Sequence, residues 1–439
     1  MDGARRIVDA DVLVEDGLIK KVGRSDGRTA RPERSEGGGR SKSATIDCHG
    51  LVVLPGLVQA HIHLCQTLFR GLADDLTLEN WLAQRIWPLE AAHTEDSVYA
   101  SAMLGAAELL LGGTTAILDM ETVRHTGAAF EALEEIGIRA TAGKCLMDSP
   151  TSPEGLREST DTALSESADL CARWHDASGG RLRYCFAPRF APSCTGPLLR
   201  AVSDLAEKFG AVVHTHAAET PVELEIVKRE TGHDEIAYLD SVGISGPRTA
   251  LAHCVWVDKD AIARLARHAT NVVHCPSSNL KLGSGIAPIP EMLAAGCRVG
   301  IGADGAPCNN RLDAFAEMRL AALIQKPRLG PDALPAAHVL ELATLGGARA
   351  MGLEKEIGSI EVGKRADLVV LDLNGPHAQP EANDLTSRIV YSARAADVRH
   401  VVVDGRVVVR DGVLETAKLG EIRRAANTEA RRLRRTVGI

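Results

Sequence analysis

The sequence predicts an α/β protein: a closed (β/α)8 barrel, also called a TIM barrel, joined to a small β-sandwich domain. Three observations support this fold class. From Leu54 onward short apolar strands alternate with amphipathic helices, eight such strands can be counted, and hairpin patterns lie on both sides of the repeat. Regular alternation of strand and helix is typical of parallel α/β folds. An open doubly wound sheet is the alternative, but no G-x-G-x-x-G follows the first strand.

The N-terminal segment has strand character. Residues 8–22 alternate apolar and polar side chains around Asp16 and Gly17, which predicts a two-stranded hairpin with a tight turn. Residues 23–43 are rich in Gly, Arg and Ser and are typical of an exposed linker. Strand character returns at residues 44–53 and leads into the barrel.

The barrel elements follow one another at short intervals. The predicted strands are residues 57–63, 115–120, 139–147, 182–190, 211–217, 249–255, 271–275 and 298–303. The predicted helices between them are residues 96–111, 128–135, 154–174, 196–209, 221–230, 258–267 and 288–295. Short apolar runs followed by longer amphipathic stretches predict successive strand and helix units.

The chain returns to strand character after the barrel. Residues 334–351 are predicted to be helical, residues 358–371 to turn back to strand, and residues 400–409 to form a hairpin with Asp404 and Gly405 at its turn. The two β-rich ends are expected to pair into one small sheet domain. The predicted division is therefore 1–54 (N-terminal part of the sandwich), 55–357 (barrel) and 358–439 (C-terminal part of the sandwich, with a charged, solvated helix at 419–435).

Composition limits the partners and the location of the protein. A net charge of −8 makes nucleic acid a poor partner. No apolar run reaches the length of a membrane span and the N-terminus lacks the apolar core of a signal peptide, so we expect a cytoplasmic protein without membrane contact. None of the ten cysteines forms C-x-x-C, which predicts free, buried thiols. A small-molecule substrate is the expected partner.

The first chemically informative motif is the pair His61 and His63, which ends the first predicted barrel strand. Side chains two residues apart on a strand point to the same face, so both imidazoles could ligate one metal ion. Paired histidines also occur by chance or on solvated strand edges, and the rest of the chain must decide.

Further ligating and titratable residues fall at the ends of the later strands, where the active sites of β/α barrels lie. They are His214, His216 and Glu219 around strand five, His253 on strand six, His274 on strand seven and Asp304 after strand eight. A catalytic zinc ion takes about three His or carboxylate ligands and activates a water molecule in the open position. The pattern therefore predicts a metal-dependent hydrolytic site.

Five motifs in this order resemble the metal-dependent amidohydrolase superfamily. They are PGLVQAHIH at residues 55–63, HTHAAE at 214–219, LAHC at 251–254, HCPSSNLKL at 274–282 and GIGADGAPCNN at 300–310. Within the superfamily they look like the branch of cytosine, guanine and adenosine-type deaminases and triazine hydrolases. The resemblance implies a hydrolase acting on C–N bonds in cyclic amidines, that is, a deaminase. It also implies a homo-oligomer, a dimer or larger.

The resemblance implies a metal site as well. One divalent ion, Zn²⁺ or else Fe²⁺, would be bound by His61, His63, His216 and Asp304. His214 and His216 share a strand face, so periodicity alone does not choose between them. The family pattern selects His216, and His214 is then expected to be structural.

The catalytic roles come from the same resemblance. Glu219 would shuttle a proton between the attacking water and the ring nitrogen, His253 would hydrogen-bond the hydroxide or the leaving group, and Asp304 would also accept the water proton. His253 could instead be a hydrogen-bonded core histidine. His274 is expected to be structural. Lys144 is not expected to bridge metals, and could contact either substrate or a neighbouring carboxylate.

Two sets of residues indicate different substrates. Residues 68–76 and 81–90 resemble deaminases of S-adenosylhomocysteine, methylthioadenosine and 5′-deoxyadenosine, in which a glutamate matching Glu90 holds the ribose hydroxyls. Trp87 lies in this segment and is assigned to the substrate site with it. Gln66 and Arg189 instead resemble guanine deaminase and its pterin- and oxopurine-using relatives, where such a pair grips a ring carbonyl. Glu90 could also form a surface ion pair, and Arg189 could pair with a nearby acid.

The prediction for the whole chain is a zinc-dependent deaminase of a purine-like ring, with a 5′-modified adenosine as substrate. A deaminase of guanine, an oxopurine or a pterin, and a triazine amino- or chlorohydrolase, are the alternatives. A non-catalytic barrel is disfavoured because every metal and catalytic position is filled.

Overall fold

The computed structural model of this chain describes residues 5–24, 45–381 and 384–439. The linker predicted at residues 23–43 lies outside the described residues except for its first two positions. The strands are β1 (Asp11–Glu15), β2 (Leu18–Gly23), β3 (Val52–Pro55), β4 (Leu57–His63), β5 (Thr114–Met120), β6 (Arg139–Gly143), β7 (Cys145–Leu146), β8 (Leu182–Pro188), β9 (Val212–Ala217), β10 (Thr249–His253), β11 (Asn271–His274), β12 (Arg298–Ile301), β13 (Asp304–Gly305), β14 (Leu368–Leu371), β15 (Val398–Val403), β16 (Arg406–Arg410) and β17 (Val413–Leu414).

Helices alternate with the central strands and also close the chain. They are α1 (Leu78–Trp81), α2 (Trp87–Ala91), α3 (Glu95–Leu111), α4 (Thr126–Ile136), α5 (Thr160–Trp174), α6 (Ala177–Gly180), α7 (Gly196–Phe209), α8 (Pro221–Thr231), α9 (Glu235–Ser241), α10 (Lys259–His268), α11 (Pro276–Lys281), α12 (Ile289–Ala294), α13 (Ala306–Asn309), α14 (Ala314–Ile324), α15 (Lys326–Leu329), α16 (Ala336–Glu341), α17 (Gly347–Ala350), α18 (Leu385–Tyr391) and α19 (Leu419–Val437). Turns of 3₁₀-helix lie at Leu64–Phe69, Ala191–Ser193, Pro376–Ala378 and Ala395–Asp397, and π-helical turns at Leu82–Ile86 and Leu342–Gly346.

The parallel strands form one sheet in the order β12-β11-β10-β9-β8-β6-β5-β4-β13. Its two ends belong to one stretch of chain, residues 298–305, because β12 pairs with β11 while β13 pairs with β4. This arrangement curls the sheet into the predicted barrel. Every residue of β4 is buried, as expected for a strand covered on both faces.

Strand three is interrupted at Lys144, where a single strand over residues 139–147 was expected. Gly143 ends β6, and a Cβ atom there would lie 2.0 Å from the carbonyl oxygen of Cys185, so only glycine fits. The buried Lys144 ammonium lies 2.9 Å from Glu158 and 3.0 Å from Glu166. Lys144 therefore contacts neighbouring carboxylates, and it is not among the residues that line the cavity described below.

Two helices differ from their predictions. The helix expected from residue 154 begins at Thr160, because Ser159 caps it: its hydroxyl accepts a hydrogen bond from the Thr162 N–H at 3.1 Å. The last helix, α19, has a charged face as predicted, but Ala426 and Leu433 on its other face are buried in a hydrophobic cluster. This helix is therefore docked by one face onto the protein.

The two ends of the chain meet in an antiparallel sheet, β17-β16-β15-β14-β3, in which β3 pairs with β14. Only residues 368–371 of the predicted 358–371 segment form a strand. The β1–β2 hairpin turns at Asp16 and Gly17, which have φ of 52° and 76°. It packs against this sheet through Ile19 and Leu368. The sandwich predicted from the terminal segments is thus present.

One buried ion pair connects the sandwich to the barrel. Arg139 on β6 binds Asp367, just before β14, at 2.7 Å, and both side chains are 1% exposed. All ten cysteines are free, as predicted. None of the helices among the described residues has the length and apolar character needed to cross a membrane.

Candidate active site

Four potential metal ligands meet at the carboxyl end of the barrel: His61 and His63 from β4, His216 from β9 and Asp304 from β13. One ligand atom of each lies within 4.8 Å of the other three. Nε2 of His63 is 3.1 Å from Nε2 of His216, and 3.3 Å from Oδ1 of Asp304. The structure therefore brings together the four residues that the family resemblance assigned to the metal.

Each imidazole is oriented by a contact of its Nδ1 atom, which turns Nε2 toward the centre of the group. The partners are His214 Nε2 for His61 at 2.7 Å, the Met120 carbonyl for His63 at 2.8 Å and the Arg189 carbonyl for His216 at 2.5 Å. Contacts of this kind fix the ring and tautomer of metal-binding histidines. His214 thus lies behind His61.

The protonation states suit a divalent cation. Burial lowers the pKa of His61 and His216, and it lowers the pKa of His63 to about 4, so these rings are neutral near pH 7. Burial opposes ionisation of Asp304, but the surrounding histidines hold its pKa well below the usual range. The buried Nε2 of His61 has no hydrogen-bond partner among the described residues. Three neutral imidazoles and one carboxylate are ligands that a divalent zinc or iron ion accepts.

Two titratable residues stand beside the four ligands. Nε2 of His253 lies 3.6 Å from Oε2 of Glu219 and 3.9 Å from Oδ2 of Asp304. Nδ1 of His253 donates to Oδ1 of Asn279 at 2.8 Å, which directs Nε2 into the site. The Ser284 hydroxyl donates to Oε1 of Glu219 at 2.9 Å and leaves the other oxygen facing His253.

The surroundings raise the pKa values of both Glu219 and His253. Burial, helped by the negative charge of Asp304, raises the pKa of Glu219 to about 7. Burial also disfavours a charged His253, but the carboxylates of Glu219 and Asp304 outweigh it and raise the pKa of that imidazole. Perturbed titrations of this kind are concentrated at functional sites.

The backbone is strained at the same place. Left-handed φ values occur at Ala218, His253, Cys254 and Asp304, at 51°, 72°, 45° and 64°. Such conformations in residues other than glycine cost on the order of 1–3 kcal/mol each and persist only where the surroundings impose them. They turn the chain at the ends of β9 and β10 and at the start of β13, beside Glu219, His253 and Asp304.

A cavity opens over the four ligands and is lined by both polar and apolar side chains. The lining residues are His63, Gln66, Leu78, Trp81, Leu82, Arg189, Phe190, His216, Glu219, Glu223, His253, Leu282 and Asp304. Gln66 and Arg189, predicted from the resemblance, are among them. Sequence reasoning missed Trp81, Phe190 and Leu282 as lining residues, although Trp81 lies in the segment that resembles nucleoside deaminases.

Glu90 and Trp87 lie outside this lining. Trp87 is half-buried and packs between two hydrophobic clusters. Glu90 is 3% exposed and binds Arg189 through both oxygens, at 2.6 Å and 3.2 Å, while Gln66 donates to it at 2.8 Å. An ion pair was expected as one possibility for Glu90 and for Arg189. The two residues form it with each other, and it is buried rather than on the surface.

His274 has no visible role in the site. It is buried, neither ring nitrogen has a hydrogen-bond partner among the described residues, and burial lowers its pKa to about 3. A neutral ring enclosed in this way agrees with the structural role expected for it.

Comparison with known proteins identifies the class. Residues 52–408 match the amidohydrolase family, and the chain belongs to that family. It is 42% identical over 424 residues to a 5-methylthioadenosine/S-adenosylhomocysteine deaminase of Desulforudis audaxviator, covering 96% of this chain and 94% of that protein. It is 41% identical over 431 residues to a 5′-deoxyadenosine deaminase of Methanothermobacter thermautotrophicus, covering 97% and 95%.

A solved structure that contains zinc agrees with the fold. An adenosine deaminase from Xanthomonas campestris with bound zinc matches this chain with a TM-score of 0.89 and 33% identity, over 98% of this chain and 94% of that one. The family and fold inferred from the motifs are thereby confirmed. A divalent metal site is supported by the three histidines and one aspartate found here.

Proposed function

We propose that this protein is a zinc-dependent hydrolytic deaminase of an aminated purine-like ring, and that a 5′-modified adenosine is its substrate. The observation that carries the proposal is the placement of Glu219 and His253 beside the group His61, His63, His216 and Asp304 in one cavity. The nucleoside deaminases that share about two fifths of this sequence support the substrate class.

The metal that we propose for this site is Zn²⁺, and Fe²⁺ is the alternative. A divalent ion held by the three histidines and Asp304 lowers the pKa of water toward neutrality and so supplies hydroxide near pH 7. The protein keeps Asp304 ionised and the histidine ligands neutral, and it orients the histidines through buried contacts. It also places Glu219 and His253, which can carry protons, beside the ligands.

Glu219 is suited to move the proton. With a pKa raised to about 7 it is present near neutral pH in both protonated and ionised forms. It can therefore accept a proton from water and deliver it to the ring nitrogen next to the reacting carbon. Ser284 keeps one oxygen of Glu219 occupied, so the other oxygen does this work.

His253 faces the same reacting centre. Because its Nδ1–H is donated to Asn279, its Nε2 is free to hold a second proton beside Glu219 and Asp304. We assign it the hydrogen bond to the hydroxide and to the departing amine. Water thus adds across the C=N bond of the ring, with oxygen to carbon and a proton to nitrogen. The second proton of the water molecule then moves from the new hydroxyl group to the amino group, ammonia leaves, and a ring carbonyl remains.

The substrate pocket supports a second candidate. Gln66 and Arg189 line the cavity whereas Glu90 lies behind them, bound by both. An arginine and an amide that face the ring suit a carbonyl oxygen, as found in guanine, an oxopurine or a pterin. For a nucleoside, Glu90 would have to exchange part of its bond to Arg189 for the ribose hydroxyls.

Ammonia release by zinc-loaded protein distinguishes these substrates. The panel is 5′-deoxyadenosine, methylthioadenosine, S-adenosylhomocysteine, guanine, a pterin and an aminotriazine, with the Glu219→Gln variant as the matched control. We expect turnover of the three nucleosides, and turnover of guanine or the pterin alone would select the second candidate. Absence of turnover across the panel, with zinc bound, would overturn the proposed function. We also propose a homodimer or larger oligomer, which the family resemblance implies, and light scattering tests the assembly.

A further inference from the structure

Two carboxyl groups are buried behind Glu219 and have no part in the steps above. Glu223 lies in the first turn of α8 and Glu235 in the first turn of α9, and they are 5% and 1% exposed. They come from separate helices and meet beneath the turn that follows β9. Buried carboxyl groups are costly unless they are hydrogen-bonded, so their contacts require an explanation.

Each carboxyl group holds one backbone N–H of that turn. Oε2 of Glu223 accepts a hydrogen bond from the N–H of Glu219 at 2.7 Å. Oε2 of Glu235 accepts one from the N–H of Ala218 at 2.9 Å. Ala218 has the left-handed φ of 51° noted above. The strained turn that presents Glu219 is thus fixed by two acidic side chains at two consecutive amides.

The remaining oxygen of each group, Oε1, lies in the same buried region beneath the turn. Both Oε1 atoms are buried, and no N–H or hydroxyl group of the described residues donates to them. Because they accept from consecutive amides of one turn, the two carboxyl groups lie next to each other, and each shifts the pKa of the other. An ionised carboxylate only accepts hydrogen bonds, so a bond between two carboxyl groups needs a proton on one of them.

We propose that Glu223 and Glu235 share one proton and act together as positioning residues, fixing the backbone turn that aims the Glu219 carboxyl at the reacting ring. This inference rests on the proposed function for the role of Glu219. With one shared proton, the Oε2 atom of each residue still accepts a hydrogen bond from a backbone amide. The Oε1 atoms of the two residues then attract each other instead of repelling. The shared proton also avoids placing two negative charges directly behind Glu219.

The electrostatic surroundings agree with a single negative charge on the pair. Burial raises the pKa of both Glu223 and Glu235; Glu223 raises the pKa of Glu235 further, whereas Glu235 lowers the pKa of Glu223. The titratable groups that face the pair are Glu219, His253 and the buried thiol of Cys254. Two groups that interact in this way titrate as a pair.

Substitution by glutamine tests this arrangement sharply. In Glu223→Gln or Glu235→Gln, the amide oxygen can still accept from the backbone N–H while the NH₂ group donates to the remaining carboxylate. One amide therefore replaces the shared proton. In the double variant both inner groups are NH₂ donors, so either they oppose each other or one backbone N–H loses its acceptor. The effects should be strongly non-additive.

The experiment compares wild type, both single variants and the double variant, with Glu225→Gln on the exposed face of α8 as the matched control. We expect each single variant to lose no more than about threefold in kcat, and the double variant on the order of 10²-fold, as for misplacement of a catalytic group. Zinc content should be unchanged in all of them. Additive, small effects on kcat would overturn the proposal.

A pH profile separates a shared proton from simple packing. If the pair must keep its proton, wild-type kcat falls on the alkaline side as the proton is lost, and each single glutamine variant moves this fall to higher pH. An identical alkaline limb in wild type and both variants would overturn the proposal, and these single variants decide it even if the double variant does not fold. Thermal unfolding of the same four proteins measures the non-additivity without turnover. Failure of the proposed deaminase function would therefore be distinguished from failure of the shared-proton pair.

Discussion

Glu90 and Arg189 form a buried ion pair through two hydrogen bonds, at 2.6 Å and 3.2 Å, in the wall of the candidate active site. The Arg189 guanidinium reaches the cavity while the Glu90 carboxylate stays behind it. Burial opposes the charge on Glu90, but Arg189 outweighs it and lowers the pKa of that carboxyl. The pair is therefore charged, and it sets which hydrogen-bond donors a substrate meets.

Removing one partner of this pair should destabilise the fold. Arg189→Met leaves a buried, unpaired carboxylate, and we expect the free energy of unfolding to fall by about 3–5 kcal/mol. Combining it with Glu90→Leu removes both charges and should recover most of that loss. Denaturant unfolding of Arg189→Met, Glu90→Leu, the double variant and wild type measures this. Equal losses in the single and double variants would show that the ion pair itself contributes little.

Glu219→Gln should keep the metal and lose turnover. The amide preserves the shape and the acceptor for Ser284 but cannot carry a proton, so kcat should fall by about 10²–10⁴-fold. Zinc content by elemental analysis and ammonia release at saturating substrate are the two measurements. Glu225→Gln, exposed on the next helix, serves as the control. Full activity in Glu219→Gln would remove this residue from the mechanism.

The rate should depend on the ionisation of Glu219. This carboxyl group, whose pKa is about 7, must be ionised to accept a proton from water. A carboxyl group is protonated below its pKa, so kcat/KM should fall as the pH drops through about 7. A series of kcat/KM values over this range checks the prediction. The acidic limb should be absent from the residual activity of Glu219→Gln, and its persistence there would assign the limb to another group.

His214 should affect metal binding without being a ligand. Its Nε2 lies 2.7 Å from Nδ1 of His61 and orients that ring. His214→Ala should weaken zinc affinity by about 10–100-fold, the usual cost of losing such a contact. Competition with a chromophoric chelator measures the affinity, and His233→Ala, at an exposed site, is the control. Loss of zinc as complete as in His216→Ala would instead make His214 a direct ligand.

Local patterns in the sequence were sufficient to predict most of the architecture. Apolar runs and amphipathic stretches located the barrel strands to within a few residues, because a strand buried on both faces needs nearly continuous apolar side chains. The hairpins at Asp16-Gly17 and Asp404-Gly405 were predictable because both turns need positive φ, which these residue types adopt readily. The break at Lys144 was not predicted, since it depends on contacts with later segments: the approach of Cys185 to Gly143, and the acids Glu158 and Glu166 beside Lys144.

The sequence by itself predicted the four residues that meet in the candidate metal site, because the two-residue period of a strand places His61 and His63 on one face and the family resemblance of the ordered motifs adds His216 and Asp304. Only the tertiary structure decided that Glu90 is bound to Arg189, that Trp81 rather than Trp87 lines the cavity, and that Glu223 meets Glu235. The periodicity of a single element says which side chains face the core. It does not say which of them meet across separate elements, because pairing and burial of charge depend on how the whole chain packs.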